Sequence, residues 1–323
     1  MPLVESVPNV SEGRRLDIVE RLCDAVRGVR GVHLLDRTSD ASHNRSVLTM
    51  AGEAGSVSDA LERLLAAAIH DIDMEEHTGE HPRIGAVDVI PFVPLGATTL
   101  EECIELARAF GRRAAERFDL PVYLYAAAAT RSDRVKLADV RRGQYEGLKA
   151  EIGQTGRGPD FGPARMHPSA GAVAVGARPF LIAYNINLDS DDVDLAKRIA
   201  RRVRESGGGL PRLQANGFEV REPERGHPRR AQVAMNLLDF TVTPLWLVWE
   251  TVRGEAATDG VEAAESELIG LAPLASLLAV ADRGGMDPEA PVEDRLAGAA
   301  GYLRLRDFSP LQALELRLKA ATR

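Results

Sequence analysis

The chain has 323 residues, 45% hydrophobic and 27% charged, the make-up of a globular protein with room for one large domain or two of medium size. A formal net charge of −8 argues against the basic face that broad nucleic-acid binding needs, and it obliges any anionic ligand to be met by a local cluster of Arg or Lys. Two cysteines, Cys23 and Cys103, are too few for a disulfide framework or a Cys-based zinc motif, and no apolar run reaches the roughly 18 residues of a membrane span. The opening "MPLVESVPNVSEG" lacks a basic region followed by an apolar run. No signal peptide is therefore expected, and a reducing, cytoplasmic setting is.

In chain order, "LVESVPNV" alternates like a strand and stops at Pro8-Asn9. Ser11 and Glu12 then open a helical pattern with Ile18, Leu22 and Val26 on one face. "VHLLDRTSD" and "RSVLTMAGE" read as two strands joined by a polar turn at 39–44. A helix over 56–73 is expected with Ser56 or Ser58 as its cap. It is followed by the strand-like "AVDVIPFVPL", a helix opened by Thr98 or Thr99, and the strand "PVYLYAAAA". The second half begins near "RPFLIAYNINLDSDD", a strand leading into the helix "DVDLAKRIARRVRES". Two strands follow, in "GGGLPRLQANGFEV" and "RAQVAMNLLDF", then a helix from Thr243-Pro244, a short strand and helix in "ESELIGLAPLASLLAVADRGG", and a helical tail.

Both halves contain the order strand, helix, strand, strand, helix, strand. The expected fold class is α/β (α+β), with two ferredoxin-like β-α-β-β-α-β subdomains, residues 1–178 and 179–323. Residues 153–177 are rich in Gly and Pro and are expected to form a binding loop.

The stretch "HTGEHPRIGAVDVIP", residues 77–91, is the most informative. His77 and His81 are four apart, as in a helical metal motif. Gly79 lies between them, however, and Pro82 pushes His81 towards extended backbone. No helix carries both rings, so no metal site is expected. Two readings remain: a solvated turn, or a single histidine held at the mouth of a strand, where an imidazole can take and give a proton near neutral pH. His43, His70 and His227 read as surface or capping residues, and Trp246 and Trp249 as core.

Eight blocks in order, "VESVPNVSEGR", "NRSVLTMAG", "HTGEHPRIGAVDVIPFVP", "PVYLYAAAA", "GPDFGPARMHPSAGAVAVGAR", "FLIAYNINL", "MNLLDF" and "ESELIGLAPL", resemble the formiminotransferase family over about residues 3–282. The resemblance implies two α/β subdomains with folate in a groove between them, usually in a homodimer. It implies transfer of a formimino group from N-formimino-L-glutamate to N5 of tetrahydrofolate, in histidine degradation, with tetrahydrofolate as co-substrate and no metal. It makes His81 the catalytic residue and Gly162, Pro163, Ala164, Arg165, Met166, His167, Pro168, Ser169, Ala170 and Gly171 the folate-binding segment. Some relatives carry a fused cyclodeaminase domain, for which this chain is expected to be too short.

The chemistry fits a histidine: N5 loses a proton as it attacks and the glutamate nitrogen gains one as it leaves. The family places a carboxylate near its histidine, where this chain has Thr38. Asp36 and Asp40 flank Thr38 on the same strand face and are the candidate assisting carboxylates. Asn9, Ser11, Asn44 and Arg45 are candidate substrate contacts, Ser11 reading equally as a helix cap and Arg45 as a strand-end surface residue. Arg83 either binds a carboxylate or pairs with Glu80. Ala170 stands where the family often has an aromatic side chain, which removes a stacking surface. Two alternatives stay open: formyl transfer from another donor, and a non-catalytic folate or small-anion binding module.

Overall fold

A computed structural model describes residues 2–322. They divide into two units, one ending at Pro179 and the other beginning at Phe180. In the first unit β1 (Leu3–Ser6) and β2 (Asn9–Val10) run end to end as one strand broken at Val7-Pro8. Then come α1 (Leu16–Arg27), β3 (Val32–Asp40), β4 (Arg45–Glu53), α2 (Ala54–Asp71), β5 (Val87–Leu95), α3 (Leu100–Phe118), β6 (Val122–Ala126), the short α4 (Leu137–Val140), α5 (Gln144–Glu151) and β7 (Val173–Ala177).

The broken strand lies antiparallel between β4 and β5, and β3 flanks β4. This is the expected ferredoxin-like β-α-β-β-α-β unit. Beyond β5 the sheet grows by parallel pairing to β7 and then β6. The strand β7 was not expected, since residues 153–177 read as loop. "VAVGA" lacks the alternation of a half-exposed strand because it is buried along its whole length, as a central parallel strand is.

Helix starts follow their local hydrogen bonds. Thr99 caps α3 in a capping box with Glu102. The helix α2 begins at Ala54, earlier than the serines would place it, because β4 runs straight into it and Ala54 N–H donates to the Pro2 carbonyl at 2.9 Å. Similarly α1 begins at Leu16, later than expected. Glu12 accepts from the N–H groups of Arg14 and Arg15, both at 2.9 Å, and so completes the turn that precedes the helix.

One sheet face is covered by α1, α2 and α3 around Leu22, Leu61, Leu64, Phe92 and Phe110. The rings of Phe92 and Phe110 are 5.6 Å apart and tilted, a geometry worth roughly 0.5–1.5 kcal/mol beyond area burial. On the other face α4 and α5 pack Val140, Leu148 and Ile152 against Val89, Tyr123 and Tyr125.

The second unit contains β8 (Ile182–Leu188), α6 (Val193–Val203), β9 (Leu213–Glu222), β10 (His227–Leu237), α7 (Leu245–Thr258), β11 (Ala263–Ile269), α8 (Leu274–Arg283), α9 (Val292–Leu303) and α10 (Leu314–Ala321). The sheet order β11-β8-β10-β9 is again ferredoxin-like, all antiparallel. Asp192 caps α6 by accepting from Asp194 and Leu195 N–H. Trp249 is fully buried, as expected. Trp246 is only partly buried, with Arg283 stacked on its ring at 4.9 Å.

Candidate active site

The site lies at one end of the first unit's sheet, where β2 ends and β4 and β5 begin. Asn44, in the β3–β4 turn, adopts the left-handed backbone region at φ 47°, which Asn tolerates better than most residues. Its side chain accepts from Gly13 N–H at 3.0 Å and donates to the Thr78 carbonyl at 2.9 Å. One amide thus ties the segment after β2 and the hairpin to the histidine loop. The loop approaches closely: a Cβ on Gly79 would meet the His43 carbonyl at 2.4 Å.

This scaffold sets His81 beside Arg45. Arg45 Nη1 lies 2.8 Å from His81 Nε2. A guanidinium can only donate, so Nε2 accepts and the imidazole is neutral with its proton on Nδ1. Burial, followed by the charges of Arg45 and Arg141, pushes the His81 pKa down to about 3. His43 stands edge-on, its ring centroid 6.4 Å away. Asp40 holds His43 through its backbone N–H and Nδ1, both at 2.9 Å. Asp40 therefore approaches His81 by way of His43. Asp36 faces Thr49 across the ladder, about 13 Å further along the strand by its rise per residue.

Arg141 enters from the end of α4. Between Asn9↔Val89 and Val10↔Val87 the ladder slips, leaving Asp88 as the extra residue of a bulge, a device that re-aims a side chain. Its buried carboxylate accepts from Ile84 N–H at 2.8 Å and from Arg141 Nη2. Burial pushes the Asp88 carboxyl upward, against the pull of Arg141 and the Ile84 N–H. Arg45 and Arg141 share a further property: each has a buried Nε with no hydrogen-bond partner. Arg45 forms no ion pair among the described residues, and burial and Arg141 both lower its pKa.

His77 does a different job. Its Nε2 contacts the Asn44 carbonyl at 3.0 Å, and Nδ1 accepts from Arg83 Nε at 3.2 Å. Arg83 is buried and pairs with Glu146 at 2.7 Å, where the sequence pointed to Glu80 as its ion-pair partner. Those bonds brace the loop against α5 and form one wall of a cleft of about 480 Å³ with Thr78, Gly79 and Gln144. Among the described residues no three His, Cys, Asp or Glu side chains are placed to hold a metal.

Comparison with known proteins bears on this arrangement. The formiminotransferase domain, N-terminal subdomain, matches residues 3–178, and the formiminotransferase domain matches residues 183–283. The chain belongs to the formiminotransferase family. It is 42% identical over 280 residues to the glutamate formimidoyltransferase of Streptococcus pyogenes serotype M1, covering 87% of this chain and 92% of that one. To the glutamate formimidoyltransferase of Thermoplasma acidophilum it is 46% identical over 283 residues, covering 87% and 91%. The formimidoyltransferase-cyclodeaminase of Sus scrofa is 43% identical over 282 residues, 85% of this chain and 51% of that one.

Residues 162–171, the run expected to bind folate, pass the starts of β6, β7 and β5. Gly162, at φ 85°, sits against the Leu120 carbonyl. Arg165 pairs with Asp119, and His167 Nδ1 accepts from Ala170 N–H at 3.1 Å. Met166 packs against the core, and Ser169 donates to the Ile69 carbonyl at 3.3 Å. Pro163, Ala164 and Pro168 lie along the same run. Ala170 is buried, and its carbonyl accepts from Ala86 N–H at 2.9 Å. Gly171 bridges Gly85, so the end of the segment lies a few residues from His81.

Among the other candidates, Ser11 is buried, donates to the Gly85 carbonyl at 2.7 Å and does not cap α1, whose N-cap position is Arg15. Asn9 donates to the Val7 carbonyl at 3.2 Å. Of the four candidate contacts, Arg45 is the one with an unpartnered buried donor. Sequence reasoning missed Arg141 and Asp88; His43 is exposed, as expected, yet its ring stands next to that of His81. A charged residue inside the apolar run "AVDVIPFV" was the available signal for Asp88.

Proposed function

We propose that this chain is a glutamate formimidoyltransferase, moving the formimino group of N-formimino-L-glutamate to N5 of tetrahydrofolate with His81 as general base and then general acid. The observation that carries the reading is the 2.8 Å contact between a neutral His81 and Arg45, in a chain whose relatives bear that name along nearly their full length. N5 attacks the formimino carbon, the new N–C bond forms, and the N5 proton passes to His81. The bond from that carbon to the glutamate nitrogen then breaks, and His81 returns the proton to the departing amine. Such proton transfers contribute roughly 10²–10⁴-fold, and holding two substrates in register supplies much of the rest.

Asp40 is the better placed of the two candidate carboxylates. It orients His43, which abuts the His81 ring. The segment 162–171 is read as the folate-binding run, with its exposed residues Gly162, Ala164, Arg165 and Pro168 available to a ligand, while Ala170 is buried. The same reading expects a cytoplasmic homodimer, with tetrahydrofolate as co-substrate and no metal. The test is to incubate the protein with both substrates, with and without EDTA, and to follow glutamate. Release unaffected by EDTA is expected. No release overturns the assignment, and loss with EDTA alone points to a metal.

A further inference from the structure

The His81 cluster has an excess of positive charge that the proton transfers do not use. Arg45 donates to a neutral imidazole, a weaker partner for a guanidinium than a carboxylate would be. Arg141 has one carboxylate, Asp88, on a single terminal nitrogen. Both Nε groups are buried without partners, and a buried unpaired donor costs stability unless something fills the role. Asp40 is engaged by His43 at the hairpin tip. Arg45 is thus left without a carboxylate in ion-pair contact among the described residues, although Asp40 and Asp88 lie near enough to act on its charge.

The donor carries a carboxylate in the right place. His81 must protonate the glutamate nitrogen, and the α-carboxylate sits on the carbon bonded to that nitrogen. A donor reaching His81 brings that carboxylate up to the two guanidinium groups. We propose that Arg45 and Arg141 together receive the donor's α-carboxylate, and that this carboxylate draws Arg45 off His81 Nε2, so that the base is uncovered only when donor is bound.

This rests on the formimino-transfer reading and adds to it a specificity residue, Arg141, and a role for the Arg45–His81 contact. The charged groups that act most strongly on His81 point the same way: Arg45 from β4, Arg141 from the end of α4, His43 from the hairpin turn and His77 from its own loop, with Asp40 of β3 held on His43 and Asp88 of β5 held on Arg141. Each of those guanidinium groups and rings disfavours protonation of His81. Pairing Arg45 and Arg141 with an anion relieves the two largest of these charges and makes His81 a stronger base at the moment it is needed.

Arg141→Gln alone would strand the Asp88 carboxylate, so the informative variant is Asp88→Asn with Arg141→Gln, which keeps a neutral hydrogen-bonded pair. Folding is checked by circular dichroism and by tetrahydrofolate binding. The KM for N-formimino-L-glutamate is expected to rise roughly 10–100-fold with the KM for tetrahydrofolate unchanged. The preference for that donor over N-formimino-4-aminobutyrate, which lacks the α-carboxylate, should shrink by a similar factor. In wild-type protein with ¹³C-labelled histidine, N-acetyl-L-glutamate should raise the pH at which His81 titrates, and N-acetyl-4-aminobutyrate should not. An unchanged donor preference in the folded double variant, or a His81 titration that N-acetyl-L-glutamate does not move, overturns the proposal. If wild type releases no glutamate, the transfer reading falls instead and the titration alone decides the clasp.

Discussion

His81 differs from an ordinary surface histidine in what surrounds it, and that difference is measurable. With its pKa pushed down to about 3 by burial, Arg45 and Arg141, the ring in the free protein should stay neutral across pH 5–8, and its ¹³C or ¹⁵N shifts should be flat there. Arg45→Met removes one of the depressing charges and uncovers Nε2, so His81 is expected to titrate higher, towards the ordinary value near 6.5. An unshifted titration would mean that Arg45 is not what holds the ring. The stability consequence has a definite sign. The unfolded chain binds the His81 proton near pH 6.5 and the folded one only near 3, so the unfolded state holds more protons between those values. This contribution is complete above about pH 6.5 and is lost as pH falls towards 3. His81→Asn should therefore show a shallower loss of stability with acid than wild type in urea titrations. At this scale the sequence was partly legible. His81 stands out because Gly79 and Pro82 deny it a helix, and Arg45 because it opens a strand. Arg141 gave no signal, since its partner Asp88 is far away in the chain and meets it only through a bulge.

The elements around the site act by close approach of backbone, and substitutions there should expose it. Asn44→Ala removes two hydrogen bonds and leaves a Cβ residue at φ 47°; a loss of about 2–3 kcal/mol is expected in denaturant unfolding. Asn44→Gly loses the same bonds but tolerates the backbone, so it should cost less. Equal losses would show that the conformation contributes nothing. Gly79→Ala would drive a Cβ into the His43 carbonyl. The histidine loop should then lift from the hairpin, lowering kcat far more than global stability. The long amphipathic elements were readable because their apolar periods are strong: α3 and α6 appear where the pattern places them, and α1 does so apart from its later start at Leu16. The strand β7 was hidden because full burial erases alternation. The helices α4 and α5, of four and eight residues, are too short to show a period, and α4 is the one that delivers Arg141.

Each of the two units repeats the same β-α-β-β-α-β order with the same strand arrangement, although residue identities between them are weak. What persists is the pattern that fills a sheet face with helices. The first unit then adds α3, β6, α4, α5 and β7, and the second adds α8, α9 and α10. In the second unit Trp249 is the largest fully buried side chain, and its indole N–H has no partner. Trp249→Ala should cost about 3–5 kcal/mol. Trp249→Phe should cost clearly less, because it refills most of the volume and removes an unsatisfied donor; the two are compared by thermal unfolding. Order and fold class were thus legible from periodicity, and the family from its motif blocks. The chemistry of the site needed the bulge, the hairpin and the short helix to be seen together. Glutamate release from N-formimino-L-glutamate in the presence of tetrahydrofolate, compared between wild type and His81→Asn, decides whether that site works as described. Wild type should release glutamate in step with formation of 5-formiminotetrahydrofolate, and the variant should be slower by roughly 10²–10⁴-fold while still binding folate. A variant that stays as fast as wild type, or a wild type that releases none, would contradict it.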